Sequence, residues 1–139
     1  MDTKLTWKGD FKFESQIGDH TLVIDSNKPG QPGIGPSPKR LLLTALGGCT
    51  GMDVVYILKN YGFEDFEFEL EIDAGQTDKH PKIYKDITIK YIFKGKDLST
   101  YKLKRAVELS TTQYCGVSAM LKASADITYE IYLNGEKIE

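Results

Sequence analysis

SPKRLLLTALGGCTGMDVVYILKN, Ser37 to Asn60, is the stretch on which the reading of the whole chain turns. Ser37 is a good N-cap, and Pro38 suits the first helical position, where its missing N–H costs nothing. No charge falls between Leu41 and Met52, and Leu41, Leu42, Leu43, Ala45, Leu46, Met52, Val54, Val55, Ile57 and Leu58 cover more than one stripe. A helix apolar nearly all round is expected to be buried all round. It reads as too short and too glycine-rich for a convincing membrane span. Within it, Gly47-Gly48-Cys49-Thr50-Gly51 sets three glycines in a helix interior, each costing roughly 1 kcal/mol against alanine. Close approach of another backbone would offset that cost, as would a small substrate beside the Cys49 sulfur. Taken alone, a buried cysteine is most often just a small hydrophobe.

Outward from this helix, the chain of 139 residues reads as one domain, 1–139. That length buries about two-thirds of the unfolded surface, so folding needs neither disulfide nor metal. Eighteen basic against 20 acidic residues leave a formal charge of −2, which argues against a nucleic-acid or anionic-membrane partner. The opening MDTKLTWKGD has no apolar core of a secretory signal. Two cysteines without such a signal suit a reducing, cytoplasmic setting, where a cysteine pair is more often catalytic or metal-binding than structural. His20 and His80 fall in turn regions, and no ligand pair among them, Cys49 and Cys115 has the close spacing of zinc sites, so no metal is expected.

Before the helix, Leu5 to Trp7 and Phe11 to Phe13 read as a hairpin with Gly9-Asp10 in its turn. Gly18-Asp19 makes a second turn before a third strand, Thr21 to Ile24. Asn27 to Pro38 holds four of the five prolines and three glycines and reads as a loop; its glycines match no dinucleotide or phosphate-loop spacing. After the helix, Gly62 is a plausible stop. Phe66 to Asp73 alternates cleanly, with Phe66, Phe68, Leu70 and Ile72 on one face and Glu67, Glu69, Glu71 and Asp73 on the other. Lys82 to Lys94 is the next strand, and antiparallel pairing would bring Lys82, Lys90 and Lys94 beside that carboxylate row, so the charges need no ligand. Leu98 to Thr111 and Val117 to Lys122 have helical spacing, Ile127 to Leu133 alternates as a last strand, and Asn134-Gly135 is a turn. The order is βββ-α-ββ-αα-β, an α+β fold with an antiparallel sheet on a long central helix.

Cys115 falls at or just before the start of the second short helix. Unpaired N–H groups and the positive end of the dipole there favour a thiolate; a thiol that merely fills the corner between two helices is the other reading. Two thiols suffice for a peroxidase: one becomes a sulfenic acid, and the second condenses with it to a disulfide that an external thiol reduces. Spacing alone does not bring the two together.

GPSPKRLLLTALGGCTGMDVVYILK, with YCGVSAML carrying Cys115 66 residues after Cys49, resembles the two signature segments of the OsmC/Ohr family, the osmotically induced and organic-hydroperoxide-resistance proteins. The resemblance covers essentially the whole chain and is nearest to the short branch of OsmC-like proteins. It implies an intertwined homodimer with the long helices between two sheets. It also implies a peroxidatic Cys49, a resolving Cys115, organic hydroperoxides as substrates, a dithiol or lipoyl reductant, and no haem, flavin or metal. The implied activity is thiol-dependent hydroperoxide reduction in oxidative and osmotic stress defence. Two positions depart from the family pattern. Arg40 stands where the family has a glutamate in Pro-x-Glu-Leu, and the N-terminal strands lack the arginine that holds the peroxidatic thiolate. Lys8 and Lys12 are the substitutes behind Arg40, although a lysine cannot make that arginine's planar two-pronged contact. Arg40, nine residues before Cys49, lies about 180° round a straight helix and would reach the thiolate only through a kink at Gly47-Gly48 or from the dimer partner. The alternatives are a non-catalytic dimer that binds a small apolar or acyl ligand, and a thiol redox sensor.

Overall fold

Three short strands, β1 (Thr3–Trp7), β2 (Phe13–Ile17) and β3 (His20–Ile24), pair antiparallel in that order in the computed structural model, which describes residues 1–138. The first turn contains Gly9 at φ 97° and Asp10 at φ 48°, left-handed conformations that glycine and aspartate tolerate. Lys8 N–H bonds the Lys12 carbonyl at 2.8 Å, which keeps Phe11 inside the loop. The second strand therefore starts at Phe13, two residues later than the alternation suggests. Leu5, Trp7, Phe13 and Ile17 are all exposed, and Ser15 is the one buried residue of this sheet. In the loop that follows, the Asp25 carboxylate accepts the Ser26 and Ile34 N–H groups, and Asn27 accepts from Gly33.

The chain divides into two compact units, Met1–Thr44 and a second that begins at Ala45, and the boundary falls within α1 (Pro38–Asn60). Pro38 is the first helical residue, as its fixed φ predicts. At the other end Gly62 takes φ 94°, Phe63 N–H bonds Leu58 C=O at 3.0 Å and Gly62 N–H bonds Lys59 C=O at 2.9 Å, a Schellman stop. Burial does not run all round the helix. It follows one stripe, Leu46, Gly47, Thr50, Gly51, Val54 and Leu58, while Leu42, Met52 and Tyr56 stay exposed. The reason is that a sheet covers only the side it faces. Length and composition alone would let this helix of 23 residues cross a membrane, a test that the core helix of a globular protein also passes. Its buried stripe, however, is fitted to a sheet: a Cβ on Gly47 would meet Ile72 Cδ1 at 2.7 Å, and one on Gly51 would meet Leu70 Cδ1 at 3.0 Å. The close approach is made by side chains rather than by another backbone, and Gly48 faces open space.

That sheet begins with β4 (Glu67–Gln76) and β5 (Tyr84–Lys94), paired antiparallel with Glu67 opposite Lys94 and Glu71 opposite Lys90, so two of the three lysines meet the carboxylate row. Lys82 lies before the strand. Ser99 caps α2 (Thr100–Leu109), accepting the Lys102 N–H at 3.3 Å. One turn of π-helix, Ser110–Tyr114, then leads into α3 (Gly116–Leu121). The crossover through these helices returns β6 (Asp126–Leu133) parallel to β5, an exception to the antiparallel pairing elsewhere. Asn134 at φ 50° and Gly135 at φ 87° turn the chain into β7 (Glu136–Ile138), a strand the sequence pattern does not reveal. Ile87, Ile89, Tyr91 and Phe93 from β5 and Leu103, Ala106 and Val107 from α2 are buried, with Phe68 stacked on Phe93 at 4.5 Å. The class is α+β, as the order of elements predicts.

Candidate active site

Cys49 and Asp53 are one helical turn apart on α1 and both are half-buried. The π turn ends at Cys115, which is the N-cap of α3 and is buried, 4% exposed. Its sulfur accepts the Ser118 N–H at 3.3 Å. The two sulfurs and a carboxylate oxygen of Asp53 all lie within 4.8 Å of one another. The fold thus brings together the two cysteines that sequence spacing could not join, and adds an acid to them.

The acid is held by a chain of buried hydroxyls whose direction can be worked out. Ser110 Oγ donates to Asp53 Oδ2 at 2.9 Å. Its single proton is then committed, so across the 2.7 Å contact between Thr50 Oγ1 and Ser110 Oγ the donor is Thr50. By the same count, the Tyr91 phenol donates to Thr50 across 2.7 Å. The chain runs Tyr91 to Thr50 to Ser110 to Asp53 and ends on a carboxylate. Thr50, Tyr91 and Ser110 are fully buried. Burial pushes the Tyr91 phenol up to about 12.

Cys115 has the helix-start position expected of it, but not the expected ionisation. Burial pushes its thiol up to about 11, and Cys49 and Asp53 add to the rise, against the lowering by the Ser118 N–H. One N–H at the start of a six-residue helix does not outweigh desolvation beside two other acidic groups.

Residues 30–130 match the family model described as OsmC-like protein. The chain belongs to the OsmC-like family. Protein YhfA of Escherichia coli K12 is 31% identical over 131 residues, covering 93% of this chain and 95% of the relative. Among solved structures, a hypothetical protein from Aquifex aeolicus is 32% identical, with a TM-score of 0.81 and coverage of 96% of each chain. The organic hydroperoxide resistance protein OhrB of Bacillus subtilis shares the fold at a TM-score of 0.63 and 21% identity, over 96% of this chain and 98% of that one. Membership supports a stress-related redox role.

In this OsmC-like chain the sequence points to both sulfurs but not to Asp53, Thr50 or Ser110. One signal was available: Asp53 is the first charge after the run Leu41 to Met52 and stands four residues past Cys49. From Asp53 opens a cleft of about 560 Å³ lined by Tyr56, Ile57, Asn60, Tyr61, Leu109 and Tyr114. Lys12 lies 3.8 Å from Asp10, and Arg105 lies 3.4 Å from Glu108. His20 opens β3 and His80 precedes Pro81 in the β4–β5 loop, both exposed. Among the described residues the donors that could hold a metal ion are Cys49, Asp53 and Cys115.

Proposed function

We propose that this OsmC-like chain is a cytoplasmic, thiol-dependent reductase of organic hydroperoxides that works as a single domain within a homodimer. The observation that carries the reading is the approach of two thiols, 66 residues apart in sequence, to within 4.8 Å. Their unequal burial supports the division of labour: Cys49 is half-buried and reachable, while Cys115 is buried and held neutral. Cys49–SH and ROOH give Cys49–SOH and ROH as sulfur takes the terminal oxygen and the O–O bond breaks. Cys115 then attacks that sulfur; hydroxide leaves with the Cys115 proton as water, and the disulfide remains. A small dithiol or lipoyl group restores both thiols by exchange, so the two electrons pass through sulfur alone. The tyrosine-lined cleft beside Asp53 suits an apolar tail on the peroxide.

The exposed Leu42, Met52 and Tyr56 on α1 and the exposed apolar side chains of the first sheet support a dimer, with an interface above roughly 2,000 Å² in total. Sedimentation at low micromolar concentration should give twice the chain mass of 15.6 kDa; a stable monomer refutes it. One equivalent of organic hydroperoxide should yield the Cys49–Cys115 disulfide in the wild type. Cys115→Ser should instead trap sulfenic or sulfinic acid on Cys49, read by mass spectrometry. Oxidation of Cys115 first, with Cys49 untouched, reverses the roles.

A second reading, a dimer that binds a small apolar or acyl ligand without catalysis, is favoured by the cleft. Ligand binding retained in Cys49→Ser, with no peroxide consumption by the wild type, would decide for it.

A further inference from the structure

We propose that the reduced protein binds a thiophilic divalent cation, zinc being the best match, through Cys49 Sγ, Cys115 Sγ and the Asp53 carboxylate. Donor atoms in a tetrahedral zinc site are roughly 3.3 to 3.8 Å apart, given bonds of about 2.3 Å to sulfur and 2.0–2.2 Å to oxygen. All three atoms here already lie within 4.8 Å of one another. Two thiolates and a carboxylate are a zinc-type donor set that leaves one position open.

Beyond the donors, the surroundings carry the features that metal sites require. A ligating carboxylate is held by an outer hydrogen bond, and Asp53 accepts one from Ser110, itself fixed by Thr50 and Tyr91. The Cys115 sulfur accepts the Ser118 N–H, which suits a thiolate ligand. The charge balance points the same way. Two thiols and a carboxylate converge within 4.8 Å of one another. A divalent ion balances the charge of the carboxylate and of both sulfurs, which bind as thiolates and release their protons.

Zinc binding and disulfide formation exclude each other. A hydroperoxide takes two electrons from the two thiolates and two protons from solvent, becoming alcohol and water; the disulfide keeps no thiolate ligand, and the ion departs. The binding itself needs only reduced thiols and does not rest on the proposed reductase activity.

Cobalt(II) and zinc(II) are the probes, added to reduced wild-type protein under anaerobic conditions with no peroxide present. One Co²⁺ per chain should bind with a thiolate-to-cobalt charge-transfer band, and Zn²⁺ should bleach it. Asp53→Asn should weaken Zn²⁺ binding by more than about tenfold, Ser110→Ala by about tenfold, and either Cys→Ser variant should weaken the band. Wild type oxidised to the disulfide, which needs no substitution and no refolding, should bind neither ion. The proposal is overturned if reduced wild type shows no charge-transfer band, if oxidised and reduced protein bind Zn²⁺ equally, or if Asp53→Asn binds as tightly as wild type.

Discussion

Thr50→Val removes one hydroxyl from the middle of the buried chain at almost constant volume, and the deduced direction of that chain sets the cost. Tyr91 O–H loses its only acceptor in that chain while fully buried, which costs about 1–3 kcal/mol. Ser110 loses the bond it accepted, about 1 kcal/mol, but still donates to Asp53. The sum is about 2–4 kcal/mol, a large fraction of the roughly 5–15 kcal/mol of a typical domain. Tyr91→Phe removes the first donor instead, and Thr50 continues to donate to Ser110. Its cost should be only about 0.5–1.5 kcal/mol, because no donor is orphaned. The double variant should cost less than Thr50→Val alone, since the orphaned phenol is gone. Urea unfolding of the reduced protein at fixed protein concentration would measure all three. If Tyr91→Phe costs as much as Thr50→Val, or if the two effects add, the chain does not run from Tyr91 to Asp53.

The helix glycines should respond oppositely: Gly47→Val, whose Cβ would stand 2.7 Å from Ile72 Cδ1, should destabilise by about 1–3 kcal/mol, while Gly48→Ala should stabilise by up to about 1 kcal/mol. Equal effects in thermal unfolding would contradict the packing. Cys115 is raised from 9.0 to about 11, so its folded form favours the neutral thiol. The stability it contributes is complete below pH 9.0 and lost as pH rises through about 11. Reduced protein should weaken over that window more than the disulfide form, in which this thiol is gone; identical pH profiles would remove Cys115 as the cause. Arg40→Ala should slow alkylation of Cys49 at neutral pH by about tenfold if Arg40 acts across the dimer on the thiolate, the scale of one nearby opposite charge. An unchanged rate excludes it.

The sequence by itself determined the elements. The charge-free run from Leu41 to Met52, the alternation from Phe66 to Asp73 and the turn glycines are local patterns, and each local period admits one element type. Even the pairing of Lys90 and Lys94 with the carboxylate row was legible, because a strand's period of two fixes which side chains share a face. Boundaries were less so. Phe11 fell into a turn because the loop's own hydrogen bonds outweigh β propensity, and β7 is too short to carry a pattern. Only tertiary structure decided that β6 runs parallel to β5, since pairing direction depends on where the crossover returns the chain. Only tertiary structure, too, decided what surrounds the sulfurs. Thr50, Ser110 and Tyr91 are 60 residues or fewer apart along the chain from one partner to the next and share no periodic signal. Their hydroxyls count as ordinary polar side chains until burial makes each bond obligatory. The same burial reversed the ionisation read from the position of Cys115: a helix start is visible in sequence, but the desolvation that opposes it comes from distant residues packed around the thiol.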